Sequence, residues 1–149
     1  MTDASGIATS SAGEPCAASA DYDGDGLVDL AVLSRGVWLG HNVTQTKNGW
    51  VEVRVKGPRG NPSAAGASVT LYRDGRLGEK DAVLGHGQAI FSTDVHTTGS
   101  RLHFGLGTEA TCDVRAVYPG GKPVDKRGVK AKGRVTVDFE KGTITEDAP

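Results

Sequence analysis

The sequence predicts an all-β fold, an antiparallel β-sandwich or partly open barrel preceded by a β-hairpin with a calcium-type loop. Three observations point there. Glycine is abundant, at 22 of 149 residues, while aromatics make up only 5%, so turns are plentiful and bulky core residues scarce. Short apolar runs rich in valine and threonine are punctuated by Gly, Asn, Asp and Pro, which is the composition of strands joined by tight turns. No stretch keeps a helical apolar period over a useful length. Roughly seven or eight short strands at this spacing suit a sandwich or barrel.

Taken in order, residues 1–14 are small and polar and are expected to be loosely attached. The run CAASADYDGDGLVDLAVL (16–33) reads as strand, acidic loop, strand. RGVWLGHN (35–42) adds a short strand, and TQTKN (44–48) reads as a linker. The expected organisation is therefore an N-terminal hairpin segment over 1–46 and a β-sandwich over 47–149. In WVEVRVKG, Val51, Val53 and Val55 share one face while Glu52, Arg54 and Lys56 share the other. GRVTVDFEKG repeats the pattern with Val135, Val137 and Phe139 inward. Both read as half-buried strands of an antiparallel sheet, with Val51, Val53, Val69, Leu71, Val135 and Val137 inside. ASVTLYRDGRLGEKDAVL (67–84) reads as a hairpin turning tightly at Asp74-Gly75. Further strands are expected at 89–92, 101–104 and 112–118, with YPGGKPV as a turn.

The loop DYDGDGLVD places Asp21, Asp23, Asp25 and Asp29 at positions 1, 3, 5 and 9, with Gly26 at 6. Alternate carboxylates can curl around one hard cation, the Leu27 carbonyl can add an oxygen, and the glycine permits the sharp turn. Calcium suits this better than magnesium, which wants a small octahedron with retained waters. An EF-hand is excluded: its twelfth position would be Val32 instead of glutamate, and strands replace the flanking helices. The competing reading is a solvated acidic turn without an ion. Four carboxylates this close favour a cation.

DYDGDGLVDLAVL resembles the calcium loop of FG-GAP/VCBS repeats, and TDASGIA resembles the start of such a repeat in the cartilage acidic protein family. Downstream, NGWVEVRVKG (48–57), AAGASVTLY (64–72), RLHFGLG (101–107) and VRAVYPGGK (114–122) resemble the C-terminal ASPIC/UnbV domain of that family. The resemblance implies a setting in extracellular matrix or among bacterial exported proteins. It also carries an alternative, because UnbV-type proteins are associated with enediyne gene clusters: an accessory protein or enzyme of natural-product biosynthesis. Two departures stand out. A lone repeat leaves two strand edges unpaired, so the chain is expected either to be a fragment or to pack this hairpin on the sandwich. The segment before RLHFGLG also runs longer than is usual.

Composition narrows the function. A net charge of -1 and a pI near 6.4 argue against a nucleic-acid partner. No apolar stretch reaches the about 18 residues of a membrane span. The amino terminus lacks the basic start and apolar centre of a signal peptide, which leaves open a cytoplasmic protein or a mature piece of an exported one. Cys16 and Cys112 allow one disulfide or two buried thiols. His41, His86, His96 and His103 show no metal-binding spacing. His103 is expected to pack or to hydrogen-bond. His86, near Ser92, Thr93 and Asp94, could form a nucleophile–base pair, but no nucleophile elbow accompanies it. GPRGNPSAAG lacks the ending of a phosphate loop and reads as a connection, and NVT at 42–44 is a glycosylation sequon. The expected function is a non-catalytic, calcium-stabilised β module for interaction or scaffolding. Its partner would be an unidentified protein or small-molecule ligand.

Overall fold

Alternation of valine with charged residues settles where the strands bury their faces. A computed structural model describes residues 16–33, 36–89 and 101–147. These form eleven strands in three sheets, so the chain is all-β. It divides into two compact units, residues 1–46 and 47–149.

In the first unit, β1 (Cys16–Ala20), β2 (Asp29–Leu33) and β3 (Val37–Gly40) form an antiparallel meander in that order. The register sets Ala20 opposite Asp29 and Leu33 opposite Val37. The acidic loop is thus the connection between β1 and β2.

The second unit holds β4 (Gly49–Lys56), β5 (Ser68–Arg73), β6 (Val83–Gln88), β7 (Arg101–Gly107), β8 (Thr111–Val117), β9 (Pro123–Lys130), β10 (Gly133–Asp138) and β11 (Thr143–Glu146). They make two four-stranded sheets, β11-β10-β4-β7 and β6-β5-β8-β9, whose inner faces share one apolar core. That is a sandwich, not a partly open barrel. Val51, Val53, Val69, Leu71, Val135 and Val137, all expected inside, have no exposed surface. Each such burial contributes about 1.5–3 kcal/mol.

The structure corrects two expectations. β10 runs parallel to β4, pairing Val135 with Val53 and Val137 with Val55, so this sheet is mixed, not antiparallel. Alternation fixes which face is buried but not strand direction, because both directions share the two-residue period. Second, Asp74-Gly75 does begin a turn, closed by the Arg76 N–H donating to the Arg73 carbonyl at 3.0 Å. The connection nevertheless continues through a 3-10 turn at Lys80–Ala82, so the hairpin is a long one. The turn expected at YPGGKPV is present, closed by the Gly121 N–H donating to the Tyr118 carbonyl at 2.8 Å, and β9 and β11 are strands beyond those expected. PVDKRGVK has little apolar content, and β9 is held by pairing with β8 and by the Arg115–Asp125 bridge, at 2.8 Å through both nitrogens. Of the strand expected at 89–92, Ala89 is buried outside any strand, and residues 90–92 lie outside the described residues.

Candidate metal centre

Two glycines and six backbone hydrogen bonds shape the acidic loop. Gly24 and Gly26 adopt φ of 82° and 90°, left-handed conformations that a side chain would strain. These turns direct N–H groups inward. Gly24 and Gly26 donate to the two oxygens of Asp21 at 2.7 and 3.0 Å. Asp25 N–H donates to Asp23 Oδ1 at 3.1 Å, and Leu27 N–H to Asp25 Oδ1 at 2.7 Å. Each carboxylate is thus held by the backbone a few residues on.

Asp21, Asp23 and Asp25 each offer a carboxylate oxygen, all within 4.8 Å of one another. Oxygens on one calcium ion lie about 2.3–2.6 Å from it, so a spread of this size can share that ion. Asp29 is placed differently. It is 4% exposed, and its two oxygens accept from Asn42 N–H at 2.7 Å and Tyr22 N–H at 3.2 Å. It thereby ties the loop to the segment after β3, and it groups with Asp23 and His41 in a second set within 4.8 Å. The Leu27 amide braces Asp25, as above.

Sequence reasoning missed His41. Its Nδ1 lies 3.3 Å from Asp23 Oδ2, 3.5 Å from Asp29 Oδ1 and 3.2 Å from the Tyr22 hydroxyl. Antiparallel pairing of β3 with β2, which sets Gly40 opposite Leu30, brings it there, a juxtaposition that no local spacing announces. Asn42, the first residue of the NVT sequon, also braces the loop. Its amide nitrogen donates to the Val28 carbonyl at 3.1 Å, and its side-chain oxygen accepts from Thr44 N–H at 3.1 Å.

The other candidates fall elsewhere. His86 Nδ1 sits 2.8 Å from Thr70 Oγ1, while Ser92, Thr93, Asp94 and His96 lie outside the described residues. His103 stacks on Trp50, with ring centroids 5.7 Å apart, a packing role as expected; its buried Nδ1 has no hydrogen-bond partner. The loop read as a connection is built around Asn61, whose amide bonds Ala65 at both ends and the Tyr118 hydroxyl at 3.0 Å. Cys16 and Cys112 are free thiols, one half-buried and one buried. Among the described residues no helix is long and apolar enough to cross a membrane.

The family model of ASPIC and UnbV matches residues 57–144, more than half of the chain. The chain belongs to the ASPIC/UnbV family. No curated protein matches it significantly. The ASPIC/UnbV match spans β5 to β11 and stops short of the acidic loop and of β4, so the family assignment rests on the sandwich.

Proposed function

We infer that this ASPIC/UnbV protein is a non-catalytic binding or scaffolding module whose N-terminal unit is stabilised by one calcium ion. Asp21, Asp23 and Asp25 would hold the ion, with the Leu27 carbonyl and Asp29 closing the loop around it. The observation that carries the reading is the convergence of three carboxylate oxygens, each braced by a backbone N–H. All-oxygen donors of this kind match a hard cation. The second set, Asp23, Asp29 and His41, includes a nitrogen donor more suited to a transition metal, which favours the oxygen set for a hard cation.

An ion bound only to the folded state, at about one hundred times its dissociation constant, adds roughly 2.7 kcal/mol. Thermal melts of the whole chain in calcium and in chelator should separate, and Asp25→Ala should remove the separation. Superimposable melts from micromolar to millimolar calcium refute the site. A shift produced by zinc and not by calcium, lost in His41→Ala, would transfer the site to the second set.

A further inference from the structure

We propose that Asp23, Asp29 and His41 form a second cation site, selective for a divalent transition ion, and that an ion there excludes calcium from the acidic loop. The ligand atoms come from three separate stretches. Asp23 lies in the loop between β1 and β2, Asp29 opens β2, and His41 follows β3. Pairing of β2 with β3, which sets Leu30 opposite Gly40, carries the imidazole to the two carboxylates.

The distances fit an ion better than a hydrogen bond. His41 Nδ1 lies 3.3 Å from Asp23 Oδ2 and 3.5 Å from Asp29 Oδ1. A charge-assisted N–H to carboxylate bond closes to about 2.7–2.9 Å. In a tetrahedral zinc shell, nitrogen and oxygen ligands sit about 2.0–2.2 Å from the metal, so neighbouring ligands lie about 3.3–3.6 Å apart. The observed separations are those of ligands around an ion. The Tyr22 hydroxyl is also 3.2 Å from Nδ1, so three oxygens face one ring nitrogen. A single N–H can serve only one of them well, whereas an ion meets both carboxylates and the nitrogen together.

The parts are held in place. The Tyr22 ring meets the imidazole edge-on, with centroids 5.8 Å apart, and steadies its plane. Asp29 has a buried side chain and accepts the Tyr22 and Asn42 N–H groups, one on each oxygen. Outer contacts of this kind fix a ligand's orientation. A buried carboxylate is paired or coordinates a metal, and the group set against this one is His41. The class of ion follows from the nitrogen: imidazole suits zinc and its neighbours, while calcium takes oxygen ligands. Three protein ligands leave a fourth position for water.

Mutual exclusion follows from shared residues. Asp23 belongs to both sets, and Asp29 closes the loop around calcium in the reading above. An ion drawn to His41 engages both carboxylates, and a second divalent charge beside it is repelled. The exclusion rests on the calcium reading; the His41 site does not.

Titration of the whole chain with cobalt(II), followed by visible absorption, tests both parts. The protein should develop a saturable ligand-field spectrum, and added calcium should bleach it. His41→Ala should weaken cobalt binding at least about tenfold, since loss of an outer contact alone costs that much. His86→Ala, which removes an exposed histidine on β6, should leave binding unchanged. Circular dichroism melts in chelator check that both variants fold. In the unaltered chain, zinc should move the His41 ring nitrogen resonances. No spectrum, one that His41→Ala leaves intact, or one that His86→Ala weakens equally overturns the site. A His41-dependent spectrum untouched by calcium, where calcium still raises the melting temperature, overturns the exclusion. The same spectrum with melts unmoved by calcium refutes the calcium reading and leaves the His41 site standing.

Discussion

At the scale of single residues, burial separates the two cysteines into different chemistries. Cys112 has no exposed surface, and burial, with Asp113 and Asp74 adding negative charge nearby, pushes its thiol up to about 12. The thiolate is the reactive form. At about pH 8 in folded protein, a thiol reagent should therefore label the half-buried Cys16 quickly and Cys112 only on unfolding. Equal labelling of both in native buffer would contradict the burial. The sign for stability follows from linkage. Cys112 favours the fold fully below the ordinary thiol value, and that contribution fades as pH rises toward about 12. Asp29 shows another residue-scale lesson: its alternation suggested a ligand, while its geometry makes it also an acceptor for Tyr22 and Asn42.

Among elements, β6 and β7 show how glycine can be a packing residue. A Cβ on Gly85 would lie 2.9 Å from Phe104 Cδ1, and one on Gly87 would lie 3.1 Å from Cζ. The Phe104 ring, 7% exposed, occupies the space that side chains on β6 would fill. Gly85→Val should cost about 1–3 kcal/mol by overpacking. Combining it with Phe104→Leu should cost less than the two single changes added together, because the shorter side chain vacates the clash. Urea midpoints of the four proteins in this cycle give the answer, and strict additivity would show that Gly85 is retained for another reason.

For the molecule as a whole, the sandwich rests on a central pair, β4 and β10, whose valines meet in register. Val137→Asp would bury an unpaired carboxylate between the sheets, a loss of several kcal/mol against a typical domain stability of about 5–15 kcal/mol. The expected result is an unfolded or aggregated second unit, read as a red shift of Trp50, which is 9% exposed in the native fold. A soluble variant with an unchanged melting temperature would mean that Val137 does not face the core. Among the described residues the first unit has no comparable interior. Its strands carry Leu33, Val37, Trp38 and Leu39 more than half exposed, so local loop bonds hold it where apolar burial holds the sandwich.

The sequence by itself determined the strand class, the buried valines, the position of the acidic loop and the family resemblance on the sandwich. Each of these is written in short-range pattern: period-two alternation, aspartate spacing, glycine at turns. Only the tertiary structure decided that β4 and β10 are parallel, that a charge-rich stretch forms β9, and that His41 joins Asp23 and Asp29. Those outcomes depend on which distant segments become neighbours. Partner choice is set by the summed burial and hydrogen bonding of the whole sheet, which no local window of residues contains.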